Sequence, residues 1–176
     1  EGGGVLSNGK GTVLTTAPVL RDRGRMGSDQ SGDRAARLAS ILESDRVWEL
    51  PSGFDGDDTG GHVDVVASIA PGGAVLLNAC EERDDPNHAG TVGNTRYLEE
   101  KGADVVPVPQ PEARFSGKDR LAYSYLNFYP ANDCVIVPQF GDPRDEAALA
   151  GIAERFPNRQ TVAFDARPFY LGGGGI

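Results

Sequence analysis

Apolar and polar residues alternate along the chain in short blocks, and the order of the blocks recurs. Val5-Leu6-Ser7 and Thr12 to Thr16 are β-forming stretches on either side of Asn8-Gly9. An Asn-Gly pair between such stretches predicts a two-residue hairpin, because both central positions of a type I′ turn need positive φ. After a polar loop, Asp33 can cap a helix that runs to about Glu43 with Ala35, Leu38, Ala39 and Leu42 on one apolar stripe. A strand over Arg46 to Leu50 then ends at Pro51.

The same order follows twice more. His62 to Ala70 predicts a strand, Pro71-Gly72-Gly73 a turn, and Ala74 to Ala79 a second strand. A helix is expected around Thr95 to Lys101, capped by Gly102, before a strand from Asp104 to Val108 that Pro109 closes. Leu121 to Tyr129 and Cys134 to Val137 predict strands around Asn132-Asp133. Asp142-Pro143 offers a cap and a first-turn proline to a helix that buries Ala147, Ala148, Ile152 and Ala153 and stops near Phe156-Pro157, and Thr161 to Phe164 is the closing strand. Strand, turn, strand, helix, strand is therefore expected near 5–50, 62–109 and 121–165, and a further strand would begin in the glycine run at 172. Units too small to stand alone and repeated at this spacing imply an α/β architecture of units placed side by side.

Composition narrows the partners. The 176 residues are 39% hydrophobic and 24% charged, which suits one folded domain, and the 24 glycines and 12 prolines follow no low-complexity period. The net charge of −9 repels phosphate backbones and anionic lipid, so nucleic acid and membrane surfaces are poor partners and a small cation is favoured. No apolar run approaches a membrane span, two cysteines make no disulfide framework, and a cytoplasmic protein is expected. The chain opens on Glu1-Gly2-Gly3 without an initiator Met and stops within glycines, as a piece of a longer protein would.

Polar residues of interest fall at equivalent places in the repeat. Glu1 precedes the first strand, His62 and Asp64 open the second unit, Asn127 lies in the third, and Gly173 and Gly174 belong to the terminal run. If the units surround an axis, these positions converge at one end of it. In a strand His62 and Asp64 would share a face, where a proton-transfer group and a carboxylate can act on one cation; the alternative is a solvated start to an edge strand. Asp55, Asp57 and Asp58 resemble part of a calcium loop without its late Glu, and read better as an acidic turn. His88 is expected in a surface loop, zinc lacks a ligand spacing, and Cys80 and Cys134 read as core residues inside strands.

Asp57-Asp58-Thr59-Gly60-Gly61-His62-Val63-Asp64 resembles the Gly-His-Val-Asp motif of agmatine deiminases and bacterial-type peptidylarginine deiminases. Ser124-Tyr125-Leu126-Asn127-Phe128-Tyr129, followed by Val137-Pro138-Gln139-Phe140-Gly141-Asp142, is similar to their next block, and Glu1-Gly2-Gly3 and Gly172 to Ile176 match their first and last glycine motifs. The resemblance implies a pentein α/β-propeller of ββαβ units, about three of five present. It implies a homodimer and hydrolysis of agmatine to N-carbamoylputrescine and ammonia, with no metal or organic cofactor. It further implies that Glu1 and Asp64 hold the guanidinium, that His62 moves protons, and that Asn127, Asp58 and the glycines line the pocket. The nucleophilic Cys of the family follows a Gly-Gly-Gly-x-Ile-His run, so it is expected just past Ile176 and the chain as given is expected to be inactive. Val65 stands where many agmatine deiminases carry Asn, which leaves arginine or peptidyl-arginine as a substrate alternative. A guanidine- or polyamine-binding module without catalysis is the alternative from another class.

Overall fold

The computed structural model describes residues 2–22, 24, 33–172 and 174–175. Glu1 and Gly173 lie outside the described residues. In chain order the elements are β1 (Val5–Ser7), β2 (Thr12–Thr16), α1 (Ala17–Arg21), α2 (Arg34–Ile41), β3 (Arg46–Leu50), β4 (Ala67–Ile69), β5 (Val75–Ala79), α3 (Pro86–Glu100) and β6 (Val105–Pro109). They continue with β7 (Phe115–Ser116), β8 (Asp119–Arg120), β9 (Tyr129–Pro130), β10 (Cys134–Gln139), α4 (Asp145–Arg155), β11 (Gln160–Asp165) and α5 (Arg167–Leu171).

Three sheets of three strands share one topology: β1-β2-β3, β4-β5-β6 and β9-β10-β11. In each, the first two strands pair antiparallel and the third returns parallel to the middle one after a helix. The middle strand is flanked on both edges, and its alternate side chains enter packed interior on both faces. Val75 and Leu77 of β5 join a core with Leu14, Leu50, Val63 and Leu98, whereas Leu76 between them joins Tyr125, Val135, Val137 and Ile152. One strand thus ties the first sheet to the third through two hydrophobic clusters.

Several local expectations are corrected. The Asn8-Gly9 pair does not make a two-residue turn. Asn8 Oδ1 accepts from the amides of Lys10 and Thr12, and the loop extends through Gly11 before Ser7 pairs with Val13. Asp33 does cap α2, accepting from Ala36 N at 3.1 Å, but that helix buries none of its residues, and Leu42 is exposed. Helix α1, in the segment read as a loop, is capped by Thr16. Residues 62–66 are a turn rather than the start of a strand, and β4 keeps only three residues. Leu121 to Phe128 is likewise irregular, so Asn127 is not in a strand. Asp142 accepts from Glu112 N and Arg144 N instead of capping α4, which starts at Asp145; Ala148 and Ile152 are buried there but Ala147 is exposed.

Helix α3 departs furthest from its expected span, beginning at Pro86 with Asp85 as its cap instead of near Thr95. Its inward face carries polar side chains, which hides the helical period. Asn94 both accepts from Ser52 N (3.0 Å) and donates to Ser52 O (3.1 Å), Asn87 accepts from Asp55 N (2.7 Å), and Thr91 links Asn78 O to Cys80 N. His88 is on this helix and half-buried, with Nδ1 2.8 Å from Cys80 O, so it is not a surface-loop residue. Among the described residues no helix is long and apolar enough to cross a membrane.

Leu98 is fully buried on α3 while Val92 of the same helix is 54% exposed. Leu98→Ala should therefore lower unfolding free energy in urea by about 2–5 kcal/mol, and Val92→Ala by no more than about 0.5 kcal/mol.

Candidate functional site

The segment that leaves β3 and enters β4 carries most of the site. Its tip is closed by Asp57, whose carboxylate accepts from Thr59 N (2.9 Å), Thr59 Oγ1, Gly61 N (2.8 Å) and His62 N (2.8 Å). Gly60 and Gly61 hold φ values of 82° and 102°, a backbone that side-chain-bearing residues rarely adopt. Gly61 also needs its missing side chain for packing: a Cβ there would lie 2.6 Å from Pro18 Cβ, and its carbonyl accepts from Thr16 Oγ1.

His62 and Asp64 come together, but by a different route from strand alternation. The Gly3 carbonyl accepts from Val63 N at 2.9 Å and Asp64 N at 3.2 Å, while Val63 O accepts from Val66 N and Ala67 N. The chain therefore turns around Gly3 with Val63 buried beneath it. A Cβ on Gly3 would collide with His62 Nδ1 and lie 2.7 Å from Asp64 Oδ2. Both side chains thus close on one backbone point, which must be glycine and has φ 77°.

Burial pushes the Asp64 carboxyl above its ordinary range; the neighbouring His62 opposes this and the charge of Asp57 adds to it. The charge of Asp64 in turn reaches Tyr170 on α5, whose phenol is raised first by burial and then by that carboxylate. Tyr170 donates to Ser124 O at 3.2 Å, which anchors the irregular segment containing Asn127. Asn127 packs on the glycine run: a Cβ on Gly175 would lie 2.6 Å from Asn127 Nδ2. Gly174 N donates to Phe169 O at the end of α5, so the run follows a helix, and among its described residues Gly172, Gly174 and Gly175 are in no strand.

Asp58 is exposed, and the neighbouring Asp57 is the residue whose bonds shape the loop. The sequence does not make that distinction: both are Asp ahead of Thr59-Gly60-Gly61, and either could bond to the backbone ahead of it. Neither cysteine is disposed as a nucleophile. Cys80 lies just past β5, and burial with the Asp85 charge pushes its thiol up to about 11. Cys134 is half-buried at the opposite end of β10 from Phe140, the aromatic that meets Tyr170. Among the described residues no group of His, Cys, Asp and Glu is arranged to hold a metal ion.

Repeated sheets of this topology, with their polar loops converging at glycines, define a pentein α/β-propeller chain. The amidinotransferase SxtG of Microseira wollei shares that fold alone, at TM-score 0.54 and 17% identity over 95% of this chain and 40% of that one. The model of the Porphyromonas-type peptidyl-arginine deiminase family matches residues 1–176, and the chain belongs to that family. It is 34% identical to the agmatine deiminase of Ectopseudomonas mendocina over all of this chain and 54% of that protein. It superposes at TM-score 0.92 on a cysteine-to-serine variant of the C. jejuni agmatine deiminase with substrate bound, 27% identical over 100% of this chain and 53% of that one. The Enterococcus faecalis agmatine deiminase gives TM-score 0.88 and 31% identity, covering 100% and 55% of the two chains. The chain spans about half the length of the curated relatives it matches.

The raised carboxyl of Asp64 has a stability consequence with a definite sign. Below the ordinary carboxylate value of 3.8 Asp64 is protonated folded or unfolded and no penalty exists; as pH rises through its higher folded value, folding must bury an anion. Asp64→Asn should therefore raise the melting temperature of the chain at pH 7, and the gain should shrink to nothing below pH 3.8, as followed by circular dichroism.

Proposed function

We propose that the parent protein hydrolyses the guanidinium of agmatine to N-carbamoylputrescine and ammonia, with this chain supplying the acid–base and cation-binding side of the site. The observation that carries the reading is the closure of His62 and Asp64 on Gly3, in a chain of this family. It is supported by the substrate-bound relative and by the net charge of −9, which favours a cation.

A guanidinium is a delocalised cation and resists attack until its charge is localised. Asp64 and Glu1 would accept its N–H groups in a fork and orient the central carbon. A thiolate from a Cys beyond Ile176 attacks that carbon. The C–N bond to one terminal nitrogen then breaks, and His62 gives that nitrogen the proton with which it leaves as ammonia. Water next attacks the amidino-cysteine carbon while His62 takes a proton from it, and the C–S bond breaks to free the thiol and the urea product. Asn127, Asp58 and the glycines would line the pocket. Since neither Cys80 nor Cys134 has a nucleophile's setting, the 176-residue chain alone should not turn over.

The family description favours a second substrate, arginine within a peptide, with the same chemistry at the guanidinium. Ammonia release by the full-length protein from agmatine, free arginine and a peptidyl-arginine decides between them. Agmatine should be the best substrate, and His62→Ala should lower its turnover by about 10²–10⁴-fold. Retention of most activity would remove His62 from the mechanism, and binding of agmatine without ammonia release would point to a non-catalytic module.

A further inference from the structure

We propose that Asp57 is the positioning residue of this site: its carboxylate holds the His62 backbone in place and supplies part of the negative field in which Asp64 works. The inference rests on the deiminase reading of His62 and Asp64, and it assigns a task to a residue whose carboxylate bonds to the loop itself.

Both carboxylate oxygens are used, and each points at a different stretch of loop. One oxygen takes the amide and hydroxyl of Thr59, and the other takes the amides of Gly61 and His62 at 2.8 Å each. These amides belong to a segment with two left-handed glycines that lies outside any helix or strand, and Asp57 accepts from three of them. The bond to His62 N fixes the residue whose ring must move a proton, and the bond to Gly61 N holds the close approach to Pro18. A backbone shift of an ångström here would carry the ring away from Asp64, and misplacement on that scale lowers rates about 10²-fold.

Asp57 also acts through charge. The charged and titratable groups that bear on Asp64 among the described residues are His62 and Asp57 on the same loop and Tyr170 from α5. His62 favours the Asp64 anion, whereas Asp57 disfavours it in addition to burial. Removing the Asp57 charge therefore lowers the pH at which Asp64 ionises.

The test compares the wild type, Asp57→Asn and Asp57→Ala in the full-length protein, with kcat and KM for agmatine measured across pH. Asp57→Ala should lower kcat about 10²-fold with a smaller change in KM. Asp57→Asn, of the same shape but able to accept for only part of the loop, should retain an intermediate rate, with the acid limb of kcat/KM moved to lower pH. A residue that only stabilised the fold would reduce the amount of folded enzyme and leave that limb in place. Amide hydrogen exchange over residues 57–64 gives a readout free of activity, and both variants should exchange faster there. If the wild type itself releases no ammonia, the deiminase reading fails while the exchange result still judges the loop. Unchanged exchange, or a kcat for Asp57→Ala within about threefold of wild type with an unmoved acid limb, overturns the proposal.

Discussion

The Gly3 carbonyl accepts from the amides of Val63 and Asp64, and that small bridge joins the segment entering the first sheet to the loop entering the second. Backbones can meet this closely only where no side chain intervenes, and Gly3 has neither a Cβ nor an ordinary φ. The same condition recurs at Gly61 against Pro18 and at Gly175 against Asn127. Each glycine lets a distant segment come close: Gly3 meets His62 and Asp64, Gly61 meets Pro18, and Gly175 meets Asn127. The hydrophobic clusters hold the sheets side by side; the glycines decide how near their loops come.

A second layer supports the loop from behind. Helix α3 offers Asn87 and Asn94 to the backbone of residues 52–55, and Arg120 from the short β7–β8 hairpin pairs with both Asp85, the α3 cap, and Asp55. Arg120 raises the energy of protonating Asp85: burial pushes that carboxyl up, but bonds from Arg120, Asn87 N and Gln110 outweigh it and hold it below the ordinary range. A buried ion pair of this kind is weak evidence for net stability. Its value here is geometric, since it ties the helix cap, the acidic loop and the hairpin to one guanidinium.

Asp64 illustrates the tension between stability and chemistry. The fold holds a carboxylate where burial and Asp57 both oppose its charge, and His62 is the neighbour that relieves it. Any cation brought beside it would meet an anion that burial leaves poorly solvated, which is how binding energy becomes available at such a site. Some carboxylates elsewhere, such as Glu82 with Arg144, are met by an arginine and serve structure instead.

Local chemistry alone determined a good part of this protein. Strand β3 occupies the expected Arg46–Leu50, Asp33 caps its helix, and β5, β6, β10 and β11 fall within a residue or two of their predicted spans. These are elements whose apolar period or cap is carried within a few residues. The pentein class and the family followed from motifs of the same local kind. What failed in sequence was decided by distant partners. Residues 62–66 have the composition of a strand but turn around Gly3, roughly sixty positions away, and α3 hides its period because Asn87 and Asn94 on its buried face bond to backbone beside the apolar Leu98. Asp57 and Asp58 are indistinguishable by type, and only the folded loop gives one of them four donors and leaves the other exposed. Periodicity and capping are properties of neighbours in sequence. Close approach, burial and the shift of a buried carboxyl depend on which segments meet, and that is settled only when the sheets pack.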